Sequence, residues 1–169
     1  MKGWLLAMLV LLGGCATGAE LPIEQAEQTF TVDPDEWTDT QLSEIYSAAA
    51  RWNTLAGREL VHIELLDGVQ SVRHIRKATL AEHNVGAHNE RFDTIRVDVE
   101  QAKDTFETVV MHELGHALGM DHVPDSGVMH AVVDGSVHDF TRADRRECVR
   151  VGVCLRGVDT AARADTTSR

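Results

Sequence analysis

The sequence predicts a single α+β domain, and two kinds of periodicity indicate it. Short segments in which apolar and polar residues alternate predict strands, and longer segments with apolar residues at helical spacing predict helices. Setting aside a leader of 14 residues leaves 155 of the 169 residues (169 − 14), which suits one modest core. We therefore expect one folded unit at residues 29–157, followed by a flexible tail at 158–169.

Four segments show the pattern of strands. A short strand is expected at residues 30–32, a second at 60–66 and a weaker third at 72–77. The fourth, at 94–100, alternates most strictly, because a charged residue follows each apolar one. Its apolar residues are Ile95, Val97 and Val99. We expect this strand to be exposed on one face.

Capping signals and apolar periodicity predict two helices. Thr38 and Gln41 fit a capping box at the start of the first helix, which should end at Gly57. Its apolar face consists of Leu42, Ile45, Tyr46, Ala49 and Trp52. Asp104 and Glu107 are expected to cap the second helix. The apolar stripe of this second helix consists of Phe106, Val109, Val110, Leu114, Ala117 and Leu118.

A last helix follows, and two cysteines indicate where it ends. Asp139 or Thr141 can cap its start. Cys148 and Cys154 form an even pair, which predicts a disulfide in an oxidising compartment. Residues six apart on one continuous helix are too distant to bridge, so the helix should end between them, at Gly152. Closing so short a loop contributes about 2 kcal/mol.

Two histidines on the second helix, and a third just beyond it, stand at the spacing of metal ligands. His112 and His116 stand four residues apart and therefore share one helix face, where two imidazoles can bind one ion. Glu113 is rotated by roughly 100° from the first histidine, so it misses the metal but can reach a water bound to it. Gly119 allows the chain to turn back. His122 then supplies a third ligand, which leaves the fourth position open, as in catalytic zinc sites.

A less specific interpretation is a buried helix whose histidines are satisfied by hydrogen bonds. The five-residue pattern HExxH occurs by chance in unrelated helices. The longer pattern HExxHxxGxxH is far more specific, because Gly119 and His122 must also fall at fixed offsets. Met129, seven residues after His122, adds a further match. We therefore favour the zinc site.

With these residues the chain resembles the metzincin metallopeptidases, and within them the matrixin-type catalytic domains. The resemblance extends over residues 29–150. It implies a twisted mixed sheet, a long first helix, the zinc helix, a Met-turn and a C-terminal helix. The Met-turn is a tight turn in which Met129 lies beneath the zinc ligands. The resemblance also implies that an exposed edge strand, at residues 94–100 with Ile95, Val97 and Val99, holds extended peptide by strand pairing.

The expected activity is zinc-dependent hydrolysis of peptide bonds, with one catalytic zinc held by the three histidines and Glu113 as the general base. Two alternatives come from other classes of protein. One is a lipid-anchored module that binds peptide or a partner and contains a structural zinc. The other is a zinc buffer, which would be expected to contain His-rich runs, and the sequence has none.

Other histidines have weaker patterns. His83 and His88 lie in a polar stretch that faintly resembles the second, structural zinc loop of matrixins, but exposed loop histidines are the default expectation. His130 follows Met129 and could line the substrate cleft or close the fourth position on the metal. We expect it to face solvent instead.

The N-terminus predicts export and lipidation. Lys2 precedes an apolar run at residues 4–12, which indicates a signal peptide at residues 1–14. The Leu-Gly-Gly-Cys ending resembles a bacterial lipobox, in which Cys15 carries lipid, and residues 15–28 then form a tether. An ordinary signal peptide cut near Ala16 or Ala19 is the alternative. Ala16 after the cysteine resembles the sorting pattern for the outer membrane, facing the periplasm or the cell surface.

The charge limits the classes of partner. The chain has a formal net charge of −11, and loss of Lys2 with the leader lowers it to −12. This acidity argues against nucleic-acid binding, which requires a basic face. It could suit calcium, although a solvated acidic surface is the commoner explanation. The oligomeric state is left open, with a monomer as the expectation.

The lipidation hypothesis predicts that a palmitate analogue labels the wild-type protein in cells. Cys15→Ser should remain unlabelled, because the thiol that accepts the lipid is gone. Labelling is measured after purification of both proteins from membranes. A wild type that is unlabelled and soluble in the periplasm would support the ordinary signal peptide.

Overall fold

A computed structural model describes residues 26–66, 73–82, 84–91, 93–124, 126–133 and 139–155. The predicted signal peptide, Cys15, most of the tether, His83 and the tail at 158–169 lie outside these residues. In chain order the elements are strand β1 (Gln28–Val32), helix α1 (Asp39–Ala56), strands β2 (Val61–Leu65), β3 (His74–Lys77), β4 (Gly86–Asn89) and β5 (Thr94–Val97), and helices α2 (Phe106–Ala117) and α3 (Arg142–Arg150). A 3-10 turn at Pro34–Glu36 joins β1 to α1.

The five strands form one mixed sheet in the order β2-β1-β3-β5-β4. The three pairings within β2-β1-β3-β5 are parallel, and only β4 runs antiparallel to its neighbour. Together with three helices, this sheet confirms the expected α+β class.

The predicted edge strand is wrong. β5 lies between β3 and β4, so both of its sides are paired, and the strand that ends the described sheet on this side is β4. Ile95 and Val97 are fully buried, and Val99 lies in the turn beyond the strand. The alternating pattern does distinguish the two faces of β5, but pairing along its edges is independent of which face is buried. β4 was not identified because glycine and asparagine are uncommon in strands.

The first helix begins and ends as predicted. The Thr38 hydroxyl accepts from the Gln41 N–H (3.3 Å), and the Gln41 side chain accepts from the Thr38 N–H (3.1 Å), which confirms the capping box. The helix ends at Gly57, whose φ of 71° lies in the left-handed region.

Helix α2 is held against α1 by buried contacts between the two helices. The fully buried Trp52 of α1 donates from its indole Nε1 to the Met111 main-chain oxygen of α2 (2.9 Å). Its ring also packs edge-on against Phe140, with 4.6 Å between centroids. Because Met111 immediately precedes the first histidine of the motif, these contacts set the position of the helix that carries the site.

The predicted cap of α2 is not formed. Thr105 precedes the helix, and its hydroxyl donates backward to the Ala102 oxygen (3.3 Å). Glu107 instead accepts hydrogen bonds from Ser47 (2.6 Å) and Arg51 (2.9 Å) of α1. Its carboxylate therefore links the two helices at their exposed side.

The C-terminal segment matches the prediction, with Thr141 as the cap of α3. Its hydroxyl accepts from the Asp144 N–H (3.4 Å), and the Asp144 side chain accepts from the Thr141 N–H (2.7 Å). Cys148 and Cys154 form the predicted disulfide, with 5.2 Å between their Cα atoms. The chain leaves the helix after Arg150, as the short loop requires. Among the described residues no helix is long and apolar enough to span a lipid bilayer.

Candidate metal centre and active site

Three imidazole rings converge at the C-terminal half of α2. The Nε2 atoms of His112 and His116 lie 3.0 Å apart, those of His116 and His122 3.1 Å, and those of His112 and His122 3.3 Å. Four ligands placed tetrahedrally at the usual zinc–nitrogen distance would be separated by about 3.3 Å. The three nitrogens therefore form a triangle of the size that one zinc ion requires.

Local backbone geometry produces this triangle. His112 and His116 lie one turn apart on the same face of α2. The helix ends at Ala117, and Gly119 adopts a φ of 83°, which turns the chain back. The turn brings His122 to the other two rings.

Main-chain carbonyl groups orient two of the rings. The Nδ1 atom of His112 lies 2.7 Å from the Val128 oxygen, and that of His116 lies 3.0 Å from the Met120 oxygen. A carbonyl oxygen only accepts hydrogen bonds, so each Nδ1 carries the proton and donates. Each Nε2 is therefore left with its lone pair directed at the shared centre, as metal-ligating histidines require.

Burial favours the neutral form of two of the imidazoles, those of His112 and His122. Removal from water, together with the neighbouring His116 and His122, lowers the pKa of His112 to about 4, against the opposing hydrogen bond to Val128. The pKa of His122 is also lowered, first by burial and then by His116. Neutral imidazole is the form that binds a metal ion, so the site is prepared for ligation at neutral pH.

Glu113 lies in the same cleft, which has a volume of about 560 Å³. Its side chain is buried, and this desolvation raises the pKa of its carboxyl to about 7. The main-chain N–H of His88 donates to the carboxylate and acts in the opposite direction, lowering the pKa. A carboxyl group with a near-neutral pKa can both accept and release a proton at physiological pH.

Met129 lies in a turn packed beneath α2. It is fully buried, and its sulfur lies against Gly115, where any Cβ would collide with the sulfur and come within 3.0 Å of the Trp52 ring. The Met129 oxygen also accepts from the Val123 N–H (2.9 Å). Glycine at position 115 is therefore required for this turn to approach the helix.

Asp144 of α3 holds this turn, a role that was not predicted from the sequence. Its fully buried carboxylate accepts from the N–H groups of Val128 (3.1 Å) and Met129 (2.8 Å), and from the hydroxyl of Thr141 (2.8 Å). The Val128 oxygen accepts in turn from His112. The available signal was the Thr-x-x-Asp capping box, but nothing local indicates that its carboxylate also binds a turn 15 residues earlier in the chain.

Strand β4 directs alternate main-chain groups toward the cleft. The Asp98 N–H donates to the Val85 oxygen (3.0 Å), so these residues form a hydrogen-bonded pair of the antiparallel ladder. Pairs alternate along an antiparallel ladder, so the next pair, Gly86 with Val97, exchanges no hydrogen bonds. The Val97 oxygen instead accepts a hydrogen bond on the side of β3. The same alternation applies to His88. The main-chain groups of Gly86 and His88 therefore point away from β5, and both residues line the cleft.

Two other histidines also have defined positions. The side chain of His88 is only 7% exposed, so the expectation of an exposed loop histidine is wrong for this residue. Within the described residues His88 belongs to no group of three metal-ligating side chains. His130 is half-buried, with its Nδ1 3.0 Å from the Val132 oxygen.

Comparisons with known proteins agree with this geometry. The family model described as Matrixin (Peptidase_M10) matches residues 13–148. Among solved structures, the chain is similar to high choriolytic enzyme 1, a hatching enzyme zinc-protease from the medaka fish Oryzias latipes. The TM-score is 0.50 at 12% sequence identity, over 89% of this chain and 100% of that chain, which shows a shared fold. No curated protein sequence matches the chain.

The histidine triangle predicts one tightly held zinc ion per chain. His116→Ala should remove most of it, because His116 lies nearest to both other ligands. Elemental analysis of the purified proteins measures the zinc content. His74→Ala, which alters a histidine on β3 outside both groups of side chains that could hold a metal ion, should keep the wild-type content. A wild-type content near zero that added zinc cannot raise would contradict the site.

The lowered pKa of His112 predicts that the metal-free protein loses stability as the pH falls from 6.5 towards about 4. Over this range the unfolded chain binds a proton that the folded protein excludes, so the stabilising contribution is present above pH 6.5 and lost below it. Thermal unfolding of chelator-treated protein measures the effect. His112→Asn, which does not titrate, should show a smaller pH dependence, and an unchanged dependence would refute this cause.

Proposed function

Because the chain belongs to the matrixin family of zinc metalloproteases, we propose that it is an endopeptidase in which Glu113 is the general base. One observation carries this proposal. The cleft that contains the three convergent histidine nitrogens also contains a buried carboxyl group with a pKa of about 7. A structural zinc site has no need of such a group beside it.

The metal-binding residues have defined roles in this proposal. His112, His116 and His122 would hold the zinc through Nε2, and three protein ligands leave a position open for exchange. When bound, zinc supplies Lewis-acid chemistry, which polarises a carbonyl group and lowers the pKa of water. The Val128 and Met120 oxygens keep two of these rings in the correct tautomer.

Glu113 would transfer protons in the reaction. It accepts a proton from the attacking water and returns it to the amine that leaves when the peptide bond breaks. Burial supports this role because it raises the affinity of the carboxylate for a proton. The cost of a wholly buried charge is limited by the hydrogen bond from the His88 N–H.

An extended peptide is the substrate form that this cleft suits. β4 ends the described sheet on the cleft side. The main-chain groups of Gly86 and the His88 carbonyl oxygen point away from β5 and are the groups offered to peptide, since the His88 N–H donates to Glu113. An unpaired strand edge binds extended chain by adding a strand. We therefore assign peptide binding to β4. The sequence had favoured Ile95, Val97 and Val99 for this role.

Lipid attachment at Cys15 would place the enzyme in a bacterial cell envelope. The support is the Leu-Gly-Gly-Cys ending of the apolar leader. The alternative to an endopeptidase is a lipid-anchored module that binds peptide along β4 without cleaving it, with zinc in a structural role.

Glu113→Gln separates these two functions. Glutamine has nearly the same shape but cannot accept a proton, so cleavage of a peptide library should fall by about 10²–10⁴-fold. Zinc content and melting temperature should remain near those of wild type, because the three ligands are unchanged. Mass spectrometry of the digests measures cleavage, and chelation should abolish it until zinc is restored.

Equal cleavage by wild type and Glu113→Gln, with zinc retained, would exclude Glu113 as the base. Binding of extended peptides by both proteins, with no cleavage by either across a broad library, would instead favour the binding module.

A further inference from the structure

We propose that strand β4 positions the general base, because Gly86 leaves the space in which the Glu113 carboxylate lies and the His88 main-chain N–H holds that carboxylate. This inference rests on the proposed function for the role of Glu113. In this proposal β4 both contacts the peptide and positions the Glu113 carboxylate. Gly86 and His88 are positioning residues that act through Glu113.

The space at Gly86 is the first observation. A Cβ atom at this position would lie 2.5 Å from Oε1 and 2.8 Å from Cγ of Glu113, and 2.8 Å from Cγ1 of Val109. Real Cβ atoms do not approach other atoms so closely, so a side chain here would displace one of its neighbours. Val109 is 1% exposed and packed in the core, which leaves the Glu113 side chain as the group able to move.

The hydrogen bond at His88 is the second observation, and the ladder explains it. Residues 86 and 88 face away from β5, so the His88 N–H is not used within the sheet. It donates to the Glu113 carboxylate. A hydrogen bond from an N–H group to a carboxylate is stronger than one between neutral groups, and it has a preferred direction. It therefore restricts where the two carboxylate oxygens lie.

The two contacts act on the same side chain from neighbouring positions of one strand. Gly86 and His88 are two residues apart on one strand. Their side-chain positions therefore lie on the same face of the sheet, and their main-chain groups point to the same side of the strand. The His88 side chain is itself buried, at 7% exposure. A rotation or register change of β4 would therefore move both contacts together and misplace the base.

Gly86→Ala tests the space around Glu113 in the zinc-loaded protein. The added methyl group should displace the carboxylate, so kcat should fall at least tenfold while KM changes less than about threefold and one zinc per chain remains. Gly57→Ala is the matched control. Gly57 has a φ of 71° and nothing within 4 Å of the added methyl group, so this change strains the backbone without touching the cleft.

Gly57→Ala should therefore lower the melting temperature but leave kcat near that of wild type. A Gly86→Ala protein with wild-type kcat would overturn the proposal. So would a loss of kcat in Gly57→Ala as large as that in Gly86→Ala.

A stability cycle tests the same contact without any activity. Replacing Glu113 by alanine removes both Oε1 and Cγ, which are two of the three atoms closest to the added methyl group. Gly86→Ala should therefore lower the melting temperature less in the Glu113→Ala background than in wild type. An equal loss in both backgrounds would assign the crowding to Val109 and overturn the proposal.

Amide hydrogen exchange tests the His88 N–H and requires no variant of Gly86. In the zinc-loaded wild type this amide should be protected, and in Glu113→Ala it should exchange at least tenfold faster. The Ala87 amide, which faces β5, should exchange at similar rates in both proteins. Equal exchange of the His88 amide in both proteins would overturn the proposal. This test remains valid even if Gly86→Ala does not fold, because it does not use that variant.

These measurements also separate this inference from the proposed function. In one outcome the wild type cleaves no peptide, while Gly86→Ala melts differently in the two backgrounds and the His88 amide exchanges faster in Glu113→Ala. These results would support the positioning of Glu113 by β4 but exclude Glu113 as a general base. A protein that cleaves peptide through Glu113 but shows neither effect would retain the function and exclude β4 as the positioning element.

Discussion

The geometry of the candidate active site depends on one buried carboxylate, that of Asp144. It accepts hydrogen bonds from the main-chain N–H groups of Val128, Met129 and Thr141 and from the hydroxyl of Thr141. A buried carboxylate is tolerated only when such donors replace its water, and removing them would leave a charge in an apolar environment. Because the Val128 oxygen orients His112, the same carboxylate connects the C-terminal helix to one of the three convergent histidines. The fold of α3 and the geometry of the metal centre are therefore coupled.

Burial then acts in opposite directions on two neighbouring groups of α2. It lowers the pKa of His112 to about 4 and raises that of Glu113 to about 7, because it disfavours the charged form of each. One environment thus gives a neutral ligand and a carboxyl group able to exchange protons near neutral pH. Two glycines allow this dense packing. Gly115 admits the Met129 sulfur beneath the helix, and Gly86 admits the Glu113 carboxylate beside β4.

Local features of the fold were predicted well, and contacts between distant segments were not. The capping boxes of α1 and α3 and the short disulfide loop depend on residues within a few positions of one another, so the sequence displays them directly. The expected cap of α2 failed because Glu107 contacts α1 instead. The edge strand was assigned to residues 94–100 because alternation reveals a buried face, whereas the neighbours of a strand depend on where other segments fold.

The sequence by itself determined the convergence of the three histidines, since helical periodicity places His112 and His116 on one face and Gly119 supplies the turn that returns His122. Only the tertiary structure decided which main-chain groups surround those histidines. His88 is buried, its N–H donates to the Glu113 carboxylate, and Asp144 accepts hydrogen bonds from the Met-turn. Both of these hydrogen-bonding contacts join segments at least 15 residues apart. The physical reason is that spacing along a helix is a property of the local backbone. Burial and hydrogen bonding across the core instead require every element to be in its final place.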